Sequence, residues 1–229
     1  MIHDKREFTL GVLLLVGFFA VLAMLFAPLH ANGRNTIDYL DNVFNAISKH
    51  SAYFIPKLRD KVRAQAGKAV DVMVRAGDEA QAQRMEELLA GAGIQVERIG
   101  NRLLIDADLG RLLTAALDDA ELLYRNDGDS LERKHLTEPR LVGYDWHRLL
   151  GSIARDLDQQ QQFAAGKVVR EVMTKGVEPA YNYYGIEAVP MQRMLFIVLA
   201  ALAGYVLYTV WYGFAILYLF EGWGLKLEH

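Results

Sequence analysis

The stretch MLFIVLAALAGYVLYTVWYGFAILYLF, Met194 to Phe220, contains no Asp, Glu, Lys, Arg or His. A helix rises about 1.5 Å per residue, so roughly 20 apolar residues cross the hydrocarbon core of a bilayer. A second run, TLGVLLLVGFFAVLAMLFAPL, Thr9 to Leu29, meets the same condition. In hydrocarbon every backbone N–H and C=O must be bonded within the protein, and a lone segment achieves this only as a helix. The two runs therefore predict transmembrane helices at 9–29 and 194–220, with a short tail at 1–8 and another at 221–229. The first run follows MIHDKREF, exceeds the apolar core of a signal peptide, and leads into LHANGRN, which offers no small-x-small cleavage pattern; it reads as an uncleaved anchor. Leu227, Glu228 and His229 read as the start of an appended tag and carry no weight.

These ends explain why 52% of the 229 residues are hydrophobic. Between them, residues 30–193 carry 22 Lys and Arg against 24 Asp and Glu, a net of −2. That balance fits neither a nucleic-acid surface nor an acidic tail, so no nucleic-acid partner is expected. The absence of cysteine excludes disulfides, thiolate metal sites, iron–sulfur ligation and CxxCH haem attachment by this chain. Two spans put both tails on one side and residues 30–193 on the other. Lys5, Arg6 and Lys226 against Arg34, Lys175 and Arg193 leave the positive-inside tally even. A short charged N-terminus before a first span favours the inside, so the expectation is a bacterial inner (cytoplasmic) membrane protein with its main domain periplasmic or otherwise extracytoplasmic.

Within that domain, Asn35 and Asp38 open a helical pattern through Ile37, Leu40, Val43, Phe44 and Ile47, and KLRDKVRAQAG restarts after Pro56. These juxtamembrane helices, 35–66, have two equal readings: an apolar face laid on the membrane surface, or one packed on the domain core. Next, AVDVMV (69–74) alternates as a strand, and DEAQAQRMEELLAGAG (78–93) forms a helix ended by Gly91 or Gly93. IQVERI (94–99) and RLLIDA (102–107) then alternate across Gly100-Asn101, a hairpin signal. DLGRLLTAALDDAELLYR (108–125) is a second helix. The expected fold is therefore α+β and membrane-anchored: two transmembrane helices bracket an extracytoplasmic domain with a β-α-β-β-α, half ferredoxin-like, module at 69–125 plus long helices. This order, with a helix ending in Ala92-Gly93-Ile94 before a hairpin, is similar to the ring-building modules of bacterial secretion and sporulation membrane rings. The resemblance spans roughly 69–123, implies self-association, and transfers no functional residue.

RNDGDSLERKHLTEPRLVGY (125–144) reads as a loop with a helix break at Pro139. Asp145 then reads as the cap of a long helix, 145–175, with Gln159 to Gln162 as a solvated stretch of it. Tyr181, Tyr183 and Tyr184 precede the second span as an interfacial belt.

The chemical motifs are missing: no GxxxxGK[ST], GxGxxG, HExxH or GxSxG occurs. His30, His50, His135 and His147 show no helical metal-ligand spacing. Glu86-Glu87 and Asp118-Asp119 read as exposed helix faces. Neither span carries an ionisable group, so neither supplies an ion pathway or a haem ligand. No catalytic, cofactor or metal residue is expected, and no cofactor.

What remains is the aromatic content of the second span. Ala201, Tyr205, Tyr208 and Tyr212 share one helical stripe, and Ala200 with Gly204 forms a small-xxx-small pair on another flank, matched by Ala23 and Ala27 in the first span. Tyr205 and Tyr208 lie too deep for an interfacial belt. Their hydroxyls need acceptors, either on the first span, at Thr9 or a backbone carbonyl, or on another membrane subunit, which is the preferred reading. The expected function is a non-catalytic accessory or structural subunit of a respiratory or transport complex in the inner membrane, with lipid and other integral membrane subunits as partners and a homo-oligomer as a further option. The alternative is a ring- or scaffold-forming component of secretion or envelope biogenesis. A periplasmic ligand sensor ranks third, since the tail after the second span leaves no room for an output domain.

Overall fold

The computed structural model describes residues 2–29 and 33–225. His30 and the 226–229 tail, on which some expectations rest, lie outside the described residues. In chain order the elements are α1 (Lys5–Phe26), α2 (Thr36–Ser51), α3 (Ile55–Arg63), β1 (Ala69–Arg75), α4 (Glu79–Gly91), β2 (Val96–Ile99), β3 (Arg102–Asp108), α5 (Leu109–Tyr124), α6 (Gly128–His135), α7 (Pro139–Gln159), α8 (Phe163–Val172), a π-helical turn (Met173–Val177), α9 (Glu178–Asn182) and α10 (Met191–Trp223). Two compact units result: Met1–Ile47 with Val189–His229, and Ser48–Ala188.

In the first unit α1 and α10 run antiparallel, and both are long and apolar enough to cross a membrane. Helix α1 starts four residues ahead of the apolar run because the Asp4 side chain accepts the N–H groups of Arg6 and Glu7. It stops at Phe26 because Pro28 holds Ala27 extended, at φ −68° and ψ 141°. Helix α10 extends beyond its apolar run at both ends and closes on Gly224 at φ 82°.

The second unit contains one sheet of three antiparallel strands in the order β1-β3-β2. Alternation puts Val70, Val72, Val74, Leu103 and Ile105 on the buried face and leaves the other face open. The hairpin turns on Gly100, whose φ of 61° few side chains tolerate. Helix α4 ends on Gly93 at φ 67°, with Gly93 N–H on Ala90 O and Ile94 N–H on Leu89 O, a Schellman closure. The outer edge of β1 is covered by α7: Asp156 accepts the Met73 N–H at 3.1 Å and Gln160 donates to Asp71 O at 2.7 Å, so this edge cannot recruit another strand.

Three expectations fail here, each for a local reason. Residues 125–144 are not a loop. Asn126, at φ 60°, closes α5, Asp127 then caps α6, and Leu136 at φ 51° ends it. Pro139 begins a helix instead of breaking one, because at the first helical position its missing N–H costs nothing. The single helix expected at 145–175 is α7 followed by α8, because the glutamine run is a terminator: Gln161 sits at φ 62° and Gln162 N–H bonds to Leu157 O. Asp145 consequently lies inside α7 and caps nothing.

Asp145 is buried and accepts Gln81 Nε2 at 2.9 Å and Arg84 Nε at 2.7 Å from α4. Asp119, read as a surface carboxylate, is also buried, because α6 and α7 close over it. Lys134 Nζ approaches to 2.6 Å, His135 Nε2 to 2.8 Å and Trp146 Nε1 to 2.8 Å. Burial alone pushes the Asp119 carboxyl up; the bonds from His135, Lys134 and Trp146 outweigh it and hold the group below the usual carboxylate range. A depressed folded-state value contributes stability above the unfolded value near 4, lost as pH falls through the folded value. Asp119→Asn is expected to destabilise the unit by about 3 kcal/mol at pH 7 and to remove this acid-side dependence; denaturant midpoints between pH 7 and pH 3 check both.

Candidate functional site

Small residues set how closely α1 and α10 approach. A Cβ added to Gly11 would sit 2.7 Å from Leu219 N, and one on Gly222 would sit 2.3 Å from Phe8 N. Ala215 is fully buried in the same seam. This close contact lets aromatic donors reach the facing backbone: Trp211 Nε1 donates to Leu14 O at 3.0 Å, and the Tyr208 hydroxyl donates to Phe18 O at 2.9 Å. A helical carbonyl has a second lone pair, so both bonds leave the α1 ladder intact. The Tyr208 ring also stacks on Phe18 at 4.1 Å, and Tyr212 tilts against the same ring at 5.0 Å.

The eight residues singled out from sequence separate accordingly. Tyr208 turns to α1 and bonds a backbone carbonyl. Ala201 and Ala27 are half-buried, and Tyr212 leans on Phe18 while staying 44% exposed. Tyr205 points away at 67% exposure, and its hydroxyl makes no hydrogen bond among the described residues. Gly204 has open space where a Cβ would be, and Ala200 and Ala23 are exposed. The stripe therefore divides between an inner face, satisfied within the chain, and an outer face around Ala200, Gly204 and Tyr205. Beside the seam, Leu14, Leu207, Val210, Trp211, Phe214 and Tyr218 line an apolar groove of about 450 Å³. Sequence reasoning did not bring Trp211 onto the first span or find the Gly11–Gly222 seam; the spacing of Ala215 and Gly222, seven apart, was the available signal.

In the second unit the most perturbed group is Lys49, which carried no sequence signal. Its side chain is fully buried, with Nζ donating to Ile186 O at 2.6 Å and Asn126 Oδ1 at 2.8 Å and lying 5.1 Å from the Tyr124 ring centre. No carboxylate pairs with it, and burial lowers its pKa to about 8. Tyr124 stacks on Tyr53 at 4.4 Å, and the Tyr53 hydroxyl donates to Glu121 at 2.7 Å. With no access for substrate, Lys49 acts as a tie between the end of α2, the α5–α6 turn and the segment after α9. His147 lies 3.9 Å from Glu178 in a shallow pocket of about 250 Å³ with Tyr144, Tyr181 and Asn182. Among the described residues, no three His, Asp or Glu side chains converge as a metal site. No protein-family model, no curated protein and no solved structure matches this chain.

Lys49 has a pH signature. Its folded value of about 8 lies below the unfolded value near 10.4, so between these the unfolded state binds more protons and the contribution of this group to stability rises with pH. Burial raises Tyr53 and Tyr124 above their ordinary values, so each contributes an opposing loss of stability as pH rises through the unfolded value near 10, a loss common to the wild type and Lys49→Met. Between pH 8 and pH 10 the denaturant midpoint of the wild type is expected to rise relative to that of Lys49→Met, with no relative change below about pH 7.

Proposed function

We propose that this protein is a non-catalytic accessory or structural subunit of a bacterial inner-membrane complex, of the respiratory or transport type. In this reading α1 and α10 cross the membrane as a hairpin, and the β-α-β-β-α module with its surrounding helices lies on the extracytoplasmic side. The observation that carries it is the contrast between Tyr208 and Tyr205. Tyr208 sits level with the middle of α1 and is satisfied by Phe18 O. Tyr205, less than one turn away along α10, exposes 67% of its surface, and its hydroxyl has no acceptor among the described residues. A hydroxyl left in hydrocarbon without an acceptor is costly, by about 4 kcal/mol or more on a water-to-alkane scale. A second membrane subunit against Ala200, Gly204 and Tyr205 would supply that acceptor, and the small residues would let its backbone approach. An interhelical hydrogen bond of this kind contributes about 1 kcal/mol, so the tyrosine sets register while packing supplies most of the affinity.

The ring- or scaffold-forming alternative draws support from one observation, the β-α-β-β-α order with sheet order β1-β3-β2, half of a ferredoxin-like arrangement. Co-purification from native membranes in mild detergent separates the readings. The accessory-subunit reading expects another integral membrane protein at fixed ratio, held roughly fivefold more weakly by Tyr205→Phe and unaffected by Tyr208→Phe. Recovery of this chain alone, or full retention of every partner by Tyr205→Phe, would overturn it.

A further inference from the structure

We propose that the open face of the β1-β3-β2 sheet is a two-fold self-association surface that binds a second copy of this chain. Three cross-strand pairs lie on this face: Asp71 opposite Asp106, Met73 opposite Leu104, and Arg75 opposite Arg102. All six side chains are exposed, Met73 at 48% and Leu104 at 36%. Like charges placed directly opposite destabilise a sheet, whereas opposite charges stabilise it. Here both charged rows are like-signed, although exchanging Arg102 and Asp106 would have made two cross-strand ion pairs. None of the four charged side chains makes an ion pair or side-chain hydrogen bond among the described residues. At the basic end Arg155 of α7, also unpaired, joins Arg75, Arg102 and Ser152 around a pocket of about 280 Å³. Asp156 lines the same pocket, and its carboxylate is engaged by the Met73 N–H and Gln160. The acidic end is formed by Asp71 and Asp106, while Glu97 of β2 lies opposite Leu104 and continues the middle row to the sheet edge.

The order acidic, apolar, basic is self-complementary under one operation. A two-fold axis along the Met73–Leu104 row, lying between two stacked sheets, sets Asp71 and Asp106 of one copy over Arg75 and Arg102 of the other. The same operation repeats the match at the opposite end and brings Met73 and Leu104 against their own counterparts, with Glu97 facing its counterpart only at the solvent-exposed β2 edge. Such an interface is isologous and closes at two copies. Edge pairing through β1 is not available, because Asp156 and Gln160 already occupy its outward backbone groups. Strands about 4.8 Å apart and rows about 6.8 Å apart give a footprint of a few hundred Å² per copy. That is below the roughly 800 Å² per partner of a standard stable complex, so the association is weak and steered by charge, and added salt weakens it.

The test uses the full chain in mild detergent. Light scattering at roughly 100 µM protein is expected to give a dimer at about 50 mM salt and dissociation towards monomer at about 500 mM. Asp71→Arg with Asp106→Arg, and separately Arg75→Asp with Arg102→Asp, are each expected to weaken self-association at least about tenfold, with circular dichroism showing both folded. An equimolar mixture of the two variants is expected to restore dimers of mixed composition. Since the chain contains no cysteine, Leu104→Cys is expected to join to its own counterpart through a short bis-maleimide, and Gln83→Cys on the outer face of α4 is not. A wild type that stays monomeric at low salt, a reversed variant that associates as well as the wild type, or a mixture that does not associate would each overturn the proposal. So would loss of association in the arginine variant alone, which would mark the basic end as an anion site, or a Leu104→Cys chain that does not crosslink.

Discussion

An ionised carboxylate away from water is tolerated only where donors surround it, and Asp119 imposes that condition on most of the 48–188 unit. Its three donors come from two helices: Lys134 and His135 at the end of α6, Trp146 in α7. Any sliding of α6 or α7 along α5 would strip the carboxylate of a partner, so the three helices have one compatible register. The next residue to Trp146, Asp145, turns about 100° further round α7 and makes the corresponding contact with Arg84 and Gln81 of α4. Two consecutive positions of one helix thus fix its rotation against two neighbours. Leu149, Leu150, Ile153 and Leu157 then fill the interior below, and Asp156 and Gln160 reach the edge of β1. Hydrophobic burial supplies the driving force, which is non-directional. The buried carboxylates select which of many apolar packings is adopted.

The elements legible in the sequence are those whose signal is local. The βα and hairpin grammar of 69–125 is such a case, since alternation, the Gly100-Asn101 turn and the Gly93 stop act over two to six residues. The two apolar helices are another. The region from 125 to 177 was misread because its punctuation is carried by residues with weak prior meaning. Asn126, Leu136 and Gln161 take positive φ with no glycine to announce it, and Pro139 initiates a helix through the same missing N–H that suggests a break. The burial of Lys49, Asp119 and Asp145 was not legible for a different reason. Each is a charged residue in a helix whose inward rotation depends on partners 15 to 137 positions away. Composition around Asp118-Asp119 looks like a solvated face, and only tertiary closure by α6 and α7 changes it.

The aromatic content of α10 was legible as a depth problem and only half legible as a direction problem. Helical phase groups Tyr205, Tyr208 and Tyr212 within one broad stripe, but a stripe is wide enough to straddle two neighbours. The seam with α1 is set by Gly11, Ala215 and Gly222, which allow the helix axes to approach, and that choice rotates Tyr208 inward and Tyr205 outward. Trp211 is drawn in by the same contact and bonds Leu14 O. A donor-only indole has no use for a facing side-chain donor, so a backbone carbonyl on the partner helix suits it well.

Tyr205 and the charged rows of the sheet are anomalous in different physical senses. Among the described residues only one buried side-chain oxygen, Asp158 Oδ1, lacks a partner, so this chain otherwise satisfies what it buries. Arg75, Arg102, Asp71 and Asp106 are exposed, so water serves as their partner and no missing one needs explaining there. What needs explaining is their arrangement, because like charges lie opposite where a simple exchange would have paired them. For Tyr205 the arrangement is ordinary, and under the proposed membrane-spanning reading the solvent is the difficulty, since hydrocarbon offers no acceptor. The proposed self-association of the sheet face rests on that geometry, at an energy small enough for salt to reverse. The proposed contact at the outer face of α10 rests on desolvation, which salt does not relieve, so ionic strength separates the two proposals.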